Sequence, residues 1–157
     1  MSILKVAMRH AHVCVLLEDG TVRCWGANEL GQLGYGDRTI RLKSGPKVNV
    51  GALKVQDVKT GFNHTCVLLE GGYVKCWGSN RVGQLGYPDT QIRLQPDSAF
   101  LDFQGRRVVQ LSLGHENACV VLDDQSVRCW GSYPGQRSPG ALKSPLRIPL
   151  FEPASQP

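Results

Sequence analysis

The chain has 157 residues, 41% of them hydrophobic and 20% charged, a balance that supports a sizeable core and excludes a wholly disordered protein. Its 18 Lys and Arg exceed its 13 Asp and Glu, but only Arg106 and Arg107 are adjacent, so a nucleic-acid partner is not favoured. No run approaches the roughly 18 apolar residues of a membrane span, and the short start MSILKVAM does not resemble a secretory signal, so we expect no membrane insertion.

One segment occurs three times along the chain. It reads CVLLEDGTVRCWG from Cys14, CVLLEGGYVKCWG from Cys66 and CVVLDDQSVRCWG from Cys119, with starts 52 and 53 residues apart. A period just above 50 residues is typical of propellers and solenoids. We therefore divide residues 1–135 into repeats of about 3–53, 54–106 and 107–135. The Pro- and Ser-rich residues 136–157 are predicted to be an irregular, degenerate tail.

Each repeat begins with short segments rich in β-branched and aromatic residues. HVCVLL and TVRCW are separated by Glu18-Asp19-Gly20, a pattern that predicts a β-hairpin with a three-residue loop. No segment has a sustained helical period, and 18 Gly with 9 Pro would interrupt one. The predicted fold class is all-β.

The hairpin loop fixes which residues face each other. If Gly20 takes the left-handed position of the loop, Leu17 faces Thr21 and, counting outwards, Cys14 faces Cys24. The same count pairs Cys66 with Cys76 and Cys119 with Cys129. In the third repeat Gln125 must adopt the conformation that glycine prefers.

Opposed cysteines at a non-hydrogen-bonded site have Cα atoms about 4.5 Å apart, which a disulfide tolerates. We therefore expect three disulfides, each joining the strands of one hairpin, and an extracellular or cell-surface location. The alternative is six buried free cysteines acting as small hydrophobic residues in a cytoplasmic or nuclear protein.

Other residue patterns do not predict catalysis, cofactor binding or a metal site. His12 and His64 lie close to the cysteines, but Cys-x-x-Cys spacing is absent and the third repeat has Asn117 at this position. The GQLGYG loop lacks the Lys-Ser/Thr of a phosphate-binding loop. The repeated Trp-Gly pairs are expected to have a structural role in packing between repeats; they are Trp25-Gly26, Trp77-Gly78 and Trp130-Gly131.

The segments HVCVLLEDGTVRCWGANELGQLGYG and HTCVLLEGGYVKCWGSNRVGQLGYP resemble the repeat of the regulator of chromosome condensation family. The resemblance covers about the first 135 residues, and the third repeat matches only through Gly131, with a remnant at Gly135-Gln136. It implies four-stranded blades of a β-propeller, usually seven, with the tryptophan packed between blades. The double-cysteine version resembles the disulfide-bearing repeats of secreted bacterial-type members.

Three blades cannot close a ring, because propellers typically have four to eight. The chain is therefore expected to be a fragment, an open three-blade array or a self-associating unit. The family includes interaction platforms, ubiquitin-ligase subunits and an exchange factor for a small nuclear GTPase. We expect a non-enzymatic protein-interaction module with a protein partner, and as the alternative a guanine-nucleotide exchange factor-like regulator of a small GTPase. The candidate contact residues in the blade loops are Asn28, Glu29, Arg38, Asn80, Arg81 and Arg93.

Overall fold

The computed structural model describes residues 1–132 and 142–148, which form an all-β structure of antiparallel sheets. Its strands are β1 (Ile3–Arg9), β2 (His12–Leu17), β3 (Val22–Gly26), β4 (Val55–Thr60), β5 (His64–Leu69), β6 (Tyr73–Gly78), β7 (Val108–Leu113), β8 (Asn117–Leu122), β9 (Val127–Gly131) and β10 (Leu142–Ile148). The sheet orders are β1-β2-β3, β4-β5-β6 and β10-β9-β8-β7, and we call each sheet a blade. Within the described ranges no helix is long and apolar enough to cross a membrane.

The predicted hairpin register is confirmed in all three blades. Cys14 pairs with Cys24, Cys66 with Cys76 and Cys119 with Cys129. The Leu17 amide donates to the Thr21 carbonyl at 2.9 Å, which closes the three-residue loop as expected. Gly20 has a φ of 80°, and Gln125 takes the same left-handed conformation with a φ of 67°, so the third loop is the strained one.

The cysteine sulfur atoms of each pair lie at bonding distance. The S–S distances are 2.11 Å, 2.07 Å and 2.07 Å, with Cα atoms 4.1 Å, 4.1 Å and 4.2 Å apart. The narrow non-hydrogen-bonded site of an antiparallel ladder gives this close approach. Each hairpin is therefore joined by a disulfide across its two strands.

The fourth strand differs between blades. In the first and second blades it is reduced to isolated bridges, Arg23 with Lys47, Gly26 with Arg41 and Gly78 with Arg93. In the third blade β10 pairs with β9 over Leu142–Ile148, a segment that the sequence assigned to the irregular tail, so that assignment is wrong for these residues. Pro145 lies between Leu142 and Leu146, where the register shifts, and such an irregularity accommodates the missing N–H of proline. The rest of the predicted tail, with Gly135 and Gln136, lies outside the described residues.

The blades pack with one face of each against the opposite face of the next. What we call the disulfide face of the first blade packs against the tryptophan face of the second; the buried side chains of this core include Cys14, Leu16, Val22, Cys24, Val67, Leu69 and Trp77. The second and third blades repeat the arrangement with Cys66, Leu68, Val74, Cys76, Val120, Leu122 and Trp130. Trp77 and Trp130 are fully buried between blades, as predicted, whereas Trp25 is half-buried.

Equivalent buried hydrogen bonds join the blades at both interfaces. The indole nitrogen of Trp77 donates to the Gln32 carbonyl at 3.0 Å, and that of Trp130 donates to the Gln84 carbonyl at 2.9 Å. The Thr65 hydroxyl also donates to the Gln32 carbonyl, at 2.7 Å. Because buried donors without partners are costly, these bonds fix how each tryptophan enters the preceding blade.

Candidate functional site

In the first two blades, the long loop after the third strand lies at the same end of the array as the turn before the second strand, and Ser132 of the third blade lies at that end too. Three backbone bonds show this: Ala27 N–H to Ala11, Ser79 N–H to Asn63 and Ser132 N–H to Glu116. We call this end the loop rim; it comprises turns 10–11, 62–63 and 115–116 with loops 27–40 and 79–92.

Asn28 holds the first loop from inside. Its side-chain amide donates to the Asp37 carbonyl at 3.0 Å and to the Thr39 carbonyl at 3.1 Å, and its side-chain oxygen accepts from the Leu33 amide at 3.0 Å. Its side chain is completely buried. Asn28 therefore spans both ends of the loop and fixes its conformation.

Asn80 does the same in the second loop. It donates to the Asp89 carbonyl at 3.1 Å and the Gln91 carbonyl at 3.0 Å, and it accepts from the Leu85 amide at 3.1 Å. It is 1% exposed. Asn28 and Asn80 were predicted as contact residues, but buried side chains cannot touch a partner, so these two assignments are corrected to loop supports.

An Arg–Asp ion pair also holds each of these two loops. Arg41 makes two bonds to the Asp37 carboxylate, at 3.0 Å and 2.9 Å, and its guanidinium lies 4.3 Å from the centre of the Tyr35 ring. The hydrogen bond from Arg41 lowers the pKa of Asp37 to about 2. Asp37 and Arg41 are not among the site residues predicted from the sequence, although their repetition in GDRTIR and PDTQIR was a usable signal.

Arg93 is the equivalent of Arg41 in the second loop. It bonds to Asp89 at 2.5 Å and 2.9 Å, reaches Asp97 at 3.4 Å and lies 4.3 Å from the centre of the Tyr87 ring. Its hydrogen bond lowers the pKa of Asp89, and burial raises the pKa of Tyr87 to about 12. Only 15% of the Arg93 side chain is exposed, so this predicted contact residue is also a loop support.

The other predicted contact residues are exposed on the loop rim. Glu29, Arg38 and Arg81 lie on the surface, and the Arg38 guanidinium donates to the Glu29 carbonyl at 2.7 Å. The supports described above hold the backbone beneath them. These three residues are therefore exposed on loops of fixed conformation.

A ladder of three stacked rings, none of them predicted from the sequence as a site residue, crosses the loop rim. The ring centres of His10 and Phe62 are 3.8 Å apart, and those of Phe62 and His115 are 4.1 Å apart. The three residues occupy the same position in successive repeats, so their alignment was visible in the sequence, but their stacking depends on how the blades pack. His10 and His115 are exposed, whereas Phe62 is half-buried.

The remaining titratable groups of note among the described residues are two buried histidines and a lysine in a cleft. No three His, Cys, Asp or Glu side chains within residues 1–132 and 142–148 are grouped to hold a metal ion. Burial lowers the pKa of His12 to about 4 and that of His64 to about 3, so both imidazoles are neutral at pH 7. A cleft of about 750 Å³ between the first two blades is lined in part by Lys75 and Asp97, but the Lys75 amine donates to the Val50 carbonyl at 3.1 Å.

Sequence comparison connects this architecture to one family. Two models of the regulator of chromosome condensation (RCC1) repeat match, one over residues 10–32 and 55–84 and the other over residues 72–121. Together they cover more than half of the chain. The chain belongs to the regulator of chromosome condensation repeat family.

Similar sequences occur within larger proteins. The chain is 30% identical over 154 residues to the E3 ubiquitin-protein ligase HERC2 of Homo sapiens, covering 93% of this chain and 3% of that protein. It is 31% identical over 147 residues to the secretion-regulating guanine nucleotide exchange factor of Bos taurus, covering 93% of this chain and 31% of that protein. The chain thus spans less than a third of either relative.

Solved structures have the same fold. Human WBSCR16 superposes with a TM-score of 0.80 at 22% identity, over 93% of this chain and 39% of that one. Prp20p of Saccharomyces cerevisiae, described with its binding properties to Gsp1p and histones, superposes with a TM-score of 0.76 at 19% identity, over 96% of this chain and 39% of that one. The three blades described above therefore form a partial β-propeller.

Proposed function

We propose that this chain is a non-enzymatic protein-interaction module whose partner binds the loop rim. The observation that carries the proposal is the position of Glu29, Arg38 and Arg81, exposed on loops that Asn28 and Asn80 hold from inside. Loops on a rigid scaffold commonly carry recognition, and a fixed conformation reduces the entropy lost on binding.

The loop rim offers two kinds of contact. The ladder of His10, Phe62 and His115 supplies flat aromatic area, the residue type that is enriched in protein interfaces. Arg38 and Arg81 are exposed on the same rim and Arg9 directly precedes His10, so charge complementarity favours a partner with an acidic surface.

A second candidate function is an exchange factor-like regulator of a small GTPase. The match to the bovine secretion-regulating guanine nucleotide exchange factor over 93% of this chain supports it. An exchange factor acts by binding and displacing nucleotide, so it requires a contact surface and no catalytic side chains. The two candidates differ in one measurement: only the second accelerates nucleotide release.

The interaction proposal is tested by capturing proteins from a lysate with the tagged chain and with two triple variants. The loop-rim variant carries Glu29→Ala, Arg38→Ala and Arg81→Ala. The control variant carries Glu18→Ala, Lys54→Ala and Arg107→Ala at the opposite end, and it removes the same charges from exposed positions. We expect at least one protein that the wild type and the control retain and that the loop-rim variant loses about tenfold or more. Equal capture by both variants would contradict the proposal.

The exchange-factor candidate is tested by the release of a fluorescent GDP analogue from a panel of purified small GTPases. Acceleration of about tenfold or more by the wild type and the control, but not by the loop-rim variant, supports exchange activity. Stable binding to a GTPase with unchanged release supports the interaction module instead. No acceleration on any GTPase of the panel counts against the second candidate alone.

A further inference from the structure

One pair of equivalent positions at the outer edge of the blades is polar in the first and third blades and aromatic in the second. Backbone pairing beside β3, β6 and β9 identifies the equivalent residues; the pairs are Val22 with Val48, Val74 with Leu101 and Val127 with Ile148. The residues that directly precede the members of each pair are therefore equivalent too; they are Thr21 and Lys47, Tyr73 and Phe100, and Ser126 and Arg147.

Tyr73 and Phe100 form a stacked pair on the surface of the second blade. Their ring centres are 4.5 Å apart, and the two residues are 47% and 40% exposed. The blade fold does not require aromatic residues here, because the other two blades have hydrophilic ones. Aromatic side chains are enriched among the residues that dominate binding energy in protein interfaces. The pair therefore has the character of a contact site.

Lys75 lies beside this pair and is 5% exposed. Its amine lies 5.1 Å from the centre of the Phe100 ring and donates to the Val50 carbonyl at 3.1 Å. An ammonium group has three N–H donors, and within residues 1–132 and 142–148 this one forms no ion pair. Burial lowers the pKa of Lys75, and the charge of Asp97 offsets this only in part. Because a buried cation without a counterion is costly, a carboxylate from outside would complete its surroundings.

Lys75 lines the cleft of about 750 Å³ between the first two blades. That volume lies within the roughly 300–1,000 Å³ of ligand pockets in proteins. Asp97 also lines the cleft, but its carboxylate already accepts from Arg93 at 3.4 Å and from the Ala99 amide at 3.2 Å. The second blade has a blade packed on each of its faces, so this cleft belongs to the interior of the array.

We propose that the outer edge of the second blade binds a peptide segment of a partner protein in which an acidic residue lies two positions from a proline or aromatic residue. The carboxylate enters the cleft and pairs with the Lys75 ammonium, and the apolar side chain packs on Tyr73 and Phe100. Side chains two positions apart in an extended peptide project to the same side about 7 Å from each other. This spacing reaches from the amine to the aromatic pair.

The occupant follows from the chemistry of the edge, since a buried cation calls for an acidic group and the exposed rings call for a flat apolar one. The site uses none of the exposed loop-rim residues Glu29, Arg38 and Arg81. It is therefore independent of the proposed function.

Selection of random peptides displayed on phage against the full chain tests the proposal. Fluorescein-labelled synthetic copies of the enriched peptides are then titrated with the chain, and binding is followed by fluorescence anisotropy. We expect the enriched peptides to share an acidic residue two positions from a proline or aromatic residue. The loop-rim variant should bind them with the affinity of the wild type.

Two variants of the second blade should each raise the dissociation constant of these peptides about tenfold or more. Lys75→Met removes the cation and keeps the length of the side chain. The double variant Tyr73→Thr, Phe100→Lys installs the residues of the first blade, which are compatible with the blade fold, and an unchanged thermal midpoint confirms that it is folded. Arg23→Met, at the position equivalent to Lys75 in the first blade, is the matched control and should bind like the wild type.

A peptide variant identifies the ion pair itself. Replacing the acidic residue of an enriched peptide by its amide should weaken binding to the wild type about tenfold and leave binding to Lys75→Met unchanged, because the two changes remove the same interaction. The proposal is overturned if no peptide is enriched, if the enriched peptides lack the acidic residue, or if Lys75→Met binds them like the wild type. Loss of binding in the loop-rim variant would place the peptides on the loop rim and also overturn it.

Discussion

At the residue scale, the third repeat lacks a hydroxyl that the second repeat has, and this difference explains why the buried His64 has no hydrogen bonds. The Thr65 hydroxyl gives its proton to the Gln32 carbonyl and lies 2.9 Å from His12 Nε2, so His12 must be the donor of that bond. In the third repeat the equivalent of Thr65 is Ala118, which has no hydroxyl. Both ring nitrogens of His64 accordingly have no partner among the described residues.

Restoring that hydroxyl should stabilise the protein. We expect Ala118→Thr to raise the free energy of unfolding by about 1–2 kcal/mol, because the new side chain can accept from His64 and donate to the Gln84 carbonyl. Urea unfolding followed by circular dichroism measures the change. Ala118→Val, which adds similar volume without a hydroxyl, is the control. An equal gain in both variants would show that filling space, and not hydrogen bonding, is responsible.

The buried histidines also make stability depend on pH. The folded-state pKa values of about 4 for His12 and about 3 for His64 lie below the ordinary value, so the unfolded chain binds protons that the folded chain does not. Stability should therefore be greatest above about pH 6.5 and fall as the pH decreases towards about 4.

The test measures the free energy of unfolding at about pH 7 and about pH 4.5 in the wild type and in His64→Asn. Asparagine stands at the equivalent position of the third repeat, at Asn117. We expect a smaller loss of stability on acidification in the variant, and an unchanged loss would exclude His64 as a source.

At the scale of the element, the hairpin with its disulfide is the repeated unit, but its surroundings change along the chain. Cys14, Cys24, Cys66 and Cys76 are fully buried because a following blade covers them. Cys119 is half-buried and Cys129 is 7% exposed, because no fourth blade among the described residues covers the third disulfide face.

The disulfides should therefore differ in their rate of reduction. We expect Cys119–Cys129 to be reduced about tenfold or more faster than the other two disulfides, since a reducing thiolate must reach the sulfur it attacks. Timed quenching with an alkylating reagent, followed by peptide mass spectrometry, measures the order. Six alkylated cysteines before any reductant is added would contradict the presence of disulfides altogether.

At the scale of the whole molecule, the packing of blade on blade places equivalent loops side by side at one end. The loop rim depends on loops that Asn28, Asn80 and two Arg–Asp pairs hold in place.

The sequence by itself determined the local structure. A three-residue loop and a period-two strand leave one register, so the pairing of Cys14 with Cys24 and the left-handed Gln125 followed from counting. The repeat was sufficient to assign the family and the all-β class. Side-chain identity, however, did not reveal that Asn28 and Arg93 face inwards, because the same polar residues serve equally well as surface contacts and as buried loop supports.

Only the tertiary structure decided which residues are in contact across neighbouring blades and which strand pairs with the edge of the third hairpin. The stacking of His10, Phe62 and His115 joins residues more than 50 positions apart, and no local pattern specifies the distance between neighbouring blades. The pairing of β10 likewise requires the exposed edge of β9, which exists only once the third hairpin has formed. Hairpin register is set by short-range geometry, whereas packing between blades is set by burial of faces that are distant in sequence.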